Sequence, residues 1–228
     1  MEGDAVVIGP GSAFATAIAH RLADDGYRVV GLGDKDAEPR SGLIFRHAQP
    51  ADLTDIGQFL EAQVPGFGPS AIVIAPELPA SAAIDDVSVP DFILQLDEAL
   101  AGAGLVARSL VTARRSNQPP RIVLLSDWTA FWQPARTTAA AIMGGMLGLS
   151  RSWALEFAPL GVTANAVVVG PDSAGSTEGE DVPARLVRRP THEDVAHAVC
   201  FFLDPRSAAI TGQVLAICGG RTSGTVPV

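Results

Sequence analysis

Short apolar runs alternate with longer helix-like stretches along almost the whole chain, and this alternation restricts its fold more than any other feature. The runs at 5–8, 27–32, 43–45, 71–75, 121–126, 162–169 and 213–218 are largely apolar along their length rather than at every second position. A strand that is apolar on both sides is covered on both sides, the condition of a parallel sheet flanked by helices. The intervening stretches carry helical signals. Ser12 is placed to cap a helix over 13–23 that Gly26 ends, and Asp52 or Thr54 to cap one through Gln63. Residues 90–115 place Phe92, Leu96, Leu100 and Ala103 along one side of a long helix. Thr191 caps a helix to Leu203, stopped by Asp204 and Pro205. The pattern predicts an α/β fold: a Rossmann-like, doubly wound parallel sheet of about seven strands, in a single domain spanning 1–228.

Totals narrow the function. The 228 residues are 47% hydrophobic and 18% charged, enough for a large core with little charged surface, so part of the apolar surplus is expected against other subunits. A net charge of −9 argues against nucleic-acid binding, which needs a basic face. No apolar run reaches the roughly 18 residues of a membrane span. The first residues show no charged leader and cleavage site, so a cytoplasmic location is expected. Cys200 and Cys218 lie in apolar segments and are too few for a disulfide framework; buried free thiols are expected. His20, His47, His192 and His197 share no ligand spacing, so no metal site is expected.

Residues 136–159, RTTAAAIMGGMLGLSRSWALEFAP, read as one long helix with Leu149, Trp153 and Phe157, and Met143, Met146 and Leu147, at helical spacing. Gly144, Gly145 and Gly148 interrupt it, each costing on the order of 1 kcal/mol against alanine. Their clustering predicts close packing against another backbone.

The strand, glycine turn and helix at the start make a dinucleotide-fold candidate, and later segments sharpen it. LGLSRSWALEFAPLGVTANAV at 147–167, RPTHEDVAHAVCFFLDPRSAAITGQVLAICGG at 189–220 and DFILQLDEALAGAGLVARSLV at 91–111 resemble the short-chain dehydrogenase/reductase family, as does ADLTD at 51–55. The resemblance covers nearly the whole chain. It implies an NAD(P)-dependent oxidoreductase with an Asn-Ser-Tyr-Lys catalytic set, and subunit interfaces through the helices at 90–115 and 136–158 and through the 191–220 segment.

The residues depart from what the resemblance implies. Anchored on LSRSWALE, the family's tyrosine and lysine positions hold Ala139 and Met143, neither of which transfers a proton. The asparagine position holds Ala99, and the serine position Ser126 or, one frame along, Asp127. Tyr27 is the chain's single tyrosine and Lys35 its single lysine, so no frameshift restores the pair. In the glycine loop GPGSAFA, Gly9 is retained, Ala13 and Ala15 take the second and third glycine positions, and Pro10 offers no N–H. Gly9, Gly11 and Ser12 remain weak cofactor candidates, with Asp34 toward an adenosine ribose and Asp52 toward adenine or as a helix cap. IAPE at 74–77 replaces the Asn-Asn-Ala-Gly segment and places Glu77 near the cofactor's path. The loop after Gly170 is shorter than is common in the family.

The expectation is a non-catalytic subunit that binds no cofactor tightly, with NAD(P) held by a homologous active short-chain dehydrogenase. Its partner is that chain or a second copy, in a complex acting on an alcohol or ketone, acyl-CoA and acyl-carrier substrates included. Two alternatives stand beside it. One is an enzyme that needs no nicotinamide and uses Ser126, Asp127 or Glu77; the other is a ligand-binding regulator on the same scaffold. Trp128, Phe131 and Trp132 either form an aromatic binding patch or fill the volume of the absent side chains. Arg185, Arg188 and Arg189 read as a solvated loop face or an anion contact.

Overall fold

The computed structural model describes residues 3–9, 12–33, 41–47, 55–80, 82–113, 118–131, 134–170 and 190–220. Seven parallel strands form one sheet: β1 (Gly3–Ile8), β2 (Tyr27–Gly33), β3 (Leu43–His47), β4 (Pro69–Ile74), β5 (Arg121–Asp127), β6 (Thr163–Val169) and β7 (Val214–Ile217). Their order, β3-β2-β1-β4-β5-β6-β7, reverses direction between β1 and β4. In such sheets the crevice for ligands opens at the carboxyl ends of the strands at that reversal.

Helices cover both faces. Alternate strand residues feed two separate cores, as the two-residue period of a strand requires. Val6, Val30, Ile72, Ile122, Leu124 and Ala164 pack under α2 (Ile56–Gln63), α3 (Val89–Leu96), α4 (Gly102–Ala113) and α5 (Thr137–Glu156). Val7, Val29, Val73, Val123, Val167 and Val169 face α1 (Ala13–Asp24) and α6 (His192–Leu203). Both cysteines are buried free thiols, as expected. Burial, with the nearby Asp25 charge, pushes the Cys200 thiol up to about 12, which leaves it unreactive near neutral pH.

Local signals place most helix ends. Ser12 accepts from the Ala15 amide, and Thr191 and Asp194 form a reciprocal capping box. The cap of α2 is Asp55, which accepts from the Gln58 amide; the expected caps Asp52 and Thr54 lie outside the described residues. The helix expected over 90–115 is α3 and α4 joined without a break by a π turn at Asp97–Ala101. The long helix ends at Glu156, and a 3-10 turn over Ala158–Leu160 follows, closed by Gly161 at φ +74°.

The glycines of α5 pack differently from expectation. A Cβ on Gly145 would lie 2.7 Å from Leu100 Cδ2, so its neighbour is a side chain of the π turn rather than a backbone. At Gly144 and Gly148 an added Cβ meets nothing within 4 Å in this chain. Those two leave a shallow surface instead of a close internal crossing.

The turn before β7 is pinned to β6. The Asn165 amide donates to the Ile210 carbonyl at 2.9 Å and its oxygen accepts from the Gln213 amide at 3.0 Å. Gly212 adopts φ +70° and donates to the Ala164 carbonyl at 2.7 Å. Asn165 is thereby buried with both ends satisfied.

Candidate functional site

The crevice is bounded by the ends of β1, β4, β5 and β6. At the end of β1, Gly9 donates to the Leu32 carbonyl at 3.0 Å, while Ala75, just past β4, donates to the Ile8 carbonyl at 2.7 Å. A Cβ on Gly9 would stand 2.8 Å from Ala15 Cβ and 3.0 Å from Ala75 Cβ. The strand, the first turn of α1 and the start of the next loop therefore meet here, and only glycine fits. The Ala15 methyl occupies part of that space. Ser12 spends its hydroxyl oxygen on the Ala15 amide at 3.0 Å, one of the first-turn donors through which a helix start holds an anion. Gly11, Asp34 and Asp52, the other cofactor candidates, lie outside the described residues. Phe14 stands edge-on to His192 with ring centroids 4.5 Å apart, which ties the starts of α1 and α6 together.

At the end of β5, Ser126 points to the α5 side of the sheet and is buried. Its hydroxyl donates to the Met143 carbonyl at 3.0 Å. Ala139 and Met143 are both buried in α5, and Met143 belongs to the core cluster beneath the sheet. Ala99 lies on the π turn and presents only a methyl group, packed against the same core. Wide turns of this kind often mark functional positions in helices. Tyr27 begins β2 beside Gly3, at the amino-terminal edge of the sheet, on the far side from the crevice.

Asp127 ends β5, and its carboxylate accepts from the Thr129 amide at 2.9 Å. Burial raises its pKa, while the Thr129 bonds and the Arg136 charge hold it down in part. Glu77 is exposed, and no hydrogen bond or ion pair joins it to Asp127, so the two are not assembled as an acid/base pair. Trp128 is buried against Leu147, Ala166 and Val168, which is packing rather than a ligand patch; Phe131 lies partly buried on the same cluster, and Trp132 is outside the described residues. Also outside them are Arg185, Arg188 and Arg189. Among the described residues no group of three acidic, histidine or cysteine side chains is arranged to hold a metal.

The Asp127 environment has a pH signature. Its folded-state proton affinity exceeds that of the unfolded chain. Above the ordinary value of 3.8 the folded state therefore holds more protons than the unfolded chain, and stability declines as pH rises from there through the raised folded-state value. Asp127→Asn keeps an oxygen for the Thr129 amide and removes the titration. The variant is expected to gain on the parent in urea unfolding midpoint as pH rises above 3.8, and to match it below that value. A pH-independent difference would show that burial does not govern this carboxyl.

Sequence reading missed the Ser126 to Met143 bond, the Phe14 to His192 contact and Asp55 as the cap. Only the last had a local signal, an Asp three residues before Gln58.

The sheet order and crevice define a doubly wound α/β protein of the nucleotide-binding type. Residues 70–222 match the family model described as enoyl-(acyl carrier protein) reductase, and the chain belongs to the short-chain dehydrogenase/reductase family. It is 28% identical to the (2S)-[(R)-hydroxy(phenyl)methyl]succinyl-CoA dehydrogenase subunit BbsC of Thauera aromatica, over 96% of this chain and 94% of that one. It is 25% identical to subunit BbsD of the same organism's enzyme, over 96% of each. A solved short chain dehydrogenase/reductase family protein superposes with a TM-score of 0.81 at 27% identity, covering 95% of this chain and 96% of the other. No described helix is long and apolar enough to cross a membrane.

Proposed function

We propose that this chain is a non-catalytic subunit of a heteromeric short-chain dehydrogenase or ketoreductase. The active partner is a homologous chain that holds NAD(P) and acts on an alcohol or ketone carried by coenzyme A or an acyl carrier. One observation carries the reading. The α5 positions that face the crevice in the family are here Ala139 and Met143, buried as core, with the Ser126 hydroxyl committed to the Met143 carbonyl. A nicotinamide enzyme of this family needs a proton relay there, and a methyl and a thioether supply none.

The phosphate end fits a dinucleotide poorly. The Ala15 methyl fills the approach at Gly9, Ser12 caps the amide that would meet a phosphate, and Ala13 adds a side chain at the first helical position. No chemical step is therefore assigned to a nucleotide on this chain. Its role is to complete and stabilise the partner. Support comes from BbsC and BbsD, both named as subunits of a (2S)-[(R)-hydroxy(phenyl)methyl]succinyl-CoA dehydrogenase, which this chain resembles over nearly its full length.

Co-expression with any short-chain dehydrogenase encoded beside it tests the reading. The expected result is a complex containing both chains, with nicotinamide-dependent turnover that needs the second chain and is absent from this one alone. Alcohol oxidation by the isolated chain at the expense of a pyridine nucleotide would overturn it. Turnover by the isolated chain without nicotinamide, abolished by Asp127→Ala, would instead favour a re-purposed enzyme built on the partly buried Asp127 carboxyl.

A further inference from the structure

Between Arg46 and Arg108 the chain carries nine acids and no lysine or arginine, which equals its entire net charge of −9. Six of those acids, Glu77, Asp85, Asp86, Asp91, Asp97 and Glu98, are exposed. None of the six has a hydrogen-bond or ion-pair partner among the described residues. Acids elsewhere are engaged: Asp4 by Arg28, Asp25 and Glu193 by Arg21, and Asp204 by Arg206. The uncompensated charge of this protein is therefore confined to one stretch of its surface.

Four of the six, Glu77, Asp85, Asp86 and Asp91, sit on the connection from β4 to α3 or on the first turn of α3. Ala82 of this connection forms a parallel bridge with Arg136 at the start of α5, which holds the segment at the mouth of the crevice. The Arg136 charge bears on Asp127, and none of the four acids pairs with it. A single 3-10 turn over Ile84–Asp86 follows the bridge, with the Asp86 amide donating to the Ala83 carbonyl at 3.0 Å. So short a turn buries none of its residues. Ile84 is 68% exposed, and Val89 and Leu78 on either side of it are 66% and 45% exposed. Large apolar side chains among uncompensated acids are unfavourable twice over, because apolar area stays in water and like charges repel. A patch of this kind marks a site of interaction.

We propose that the connection from β4 to α3 is the docking surface for a basic amphipathic helix of a partner protein, one with apolar and lysine or arginine side chains on the same face. The chemistry of the surface rules out the other occupants. A second copy would set acids against acids, since the connection carries acids and no base. Coenzyme A, nucleotides, nucleic acids and anionic bilayers are repelled by the same charge. A small cation answers the acids but leaves Leu78, Ile84 and Val89 in water. A basic amphipathic helix answers both. Its residues three and four apart share one face, so apolar side chains cover Ile84 and Val89 while the cations stand opposite Asp85, Asp86 and Asp91. The charges speed the encounter and the apolar contacts slow release. This surface does not depend on the heteromer proposed above.

A labelled leucine–lysine peptide of about four helical turns, with its leucines at helical spacing, tests the proposal on the isolated full chain. Fluorescence anisotropy is read at about 0.15 M salt, where distant charges are screened. The parent is expected to bind this peptide and to ignore one with glutamate for every lysine. Asp85→Lys and Glu156→Lys change the net charge equally, but Glu156 lies at the far end of α5. Asp85→Lys is expected to weaken binding about tenfold, and Glu156→Lys less than about twofold. Ile84→Ser, at an exposed position that the fold does not need, is expected to weaken it roughly fivefold. Each variant is compared at unchanged circular dichroism. Hydrogen exchange is expected to slow over 82–92 when the peptide binds. The proposal is overturned by a parent that does not bind, by equal losses from the Asp85 and Glu156 variants, or by an Ile84→Ser variant of unchanged affinity. None of those outcomes touches the proposed function, which is read from co-expression with a dehydrogenase.

Discussion

Met143→Lys is expected to cost roughly 3–5 kcal/mol of stability, the scale for a buried charge left without a partner. Met143 is 2% exposed and packs in the core beneath the sheet among residues such as Ile142, Met146 and Leu124. Its own carbonyl already accepts from Ser126, so the local polar geometry is satisfied without a charge. The ammonium must either enter this apolar volume or lose its proton, which a buried lysine does at a depressed pKa. The stability deficit should therefore shrink as pH rises above neutrality. Met143→Leu, nearly equal in volume, is expected to cost less than about 1.5 kcal/mol. Urea unfolding followed by tryptophan fluorescence measures both. A lysine variant with the parent's midpoint would mean that the position opens onto solvent in the crevice, and the case for a non-catalytic subunit would weaken with it.

Gly170→Ala should be nearly as damaging for a different reason. A Cβ there would fall 2.6 Å from Cys218 Cα, 2.8 Å from Cys218 Cβ and 2.9 Å from the Ile217 carbonyl oxygen. Two of those neighbours are backbone atoms, which cannot rotate away as a side-chain tip can. Gly170 also donates to the Ile217 carbonyl at 3.0 Å, so relief of the clash parts β6 from β7. The expected cost is about 3 kcal/mol, at the upper end for overpacking. Cys218, now buried, should become reactive toward a thiol reagent in the folded variant. A variant with the parent's midpoint and a protected Cys218 would show that this end of the sheet yields easily. The site argument would then lose its rigid wall.

Both predictions concern the same crevice, and both turn on packing rather than on chemistry. At its β5 and α5 wall, Ser126 is tied to Met143, Ala139 and Met143 are buried, and Trp128 fills volume against Leu147 and Val168. Asp127 is partly buried there, and it is held by Thr129 rather than by a second carboxyl. Such a wall fits the non-catalytic subunit proposed above.

Much of the architecture was written locally. Apolar runs over 5–8, 71–75 and 121–126 declared buried parallel strands, because only a strand covered on both faces can be apolar on both. Ser12 and Thr191 announced helix starts because a cap acts within three residues. The absence of tyrosine and lysine from α5 was likewise visible in the letters alone. Tertiary structure alone decided the rest. Gly144, Gly145 and Gly148 read alike in sequence, yet only Gly145 meets another element. Glu77 follows β4 and Asp127 ends β5 at the crevice, yet one is exposed and the other is turned onto Thr129. Ser126 lost its freedom to a carbonyl 17 residues away. Periodicity and capping act over a few neighbouring residues and survive in a string of letters; a distance between side chains on different elements depends on how the whole sheet twists and packs, and exists only once the chain has folded.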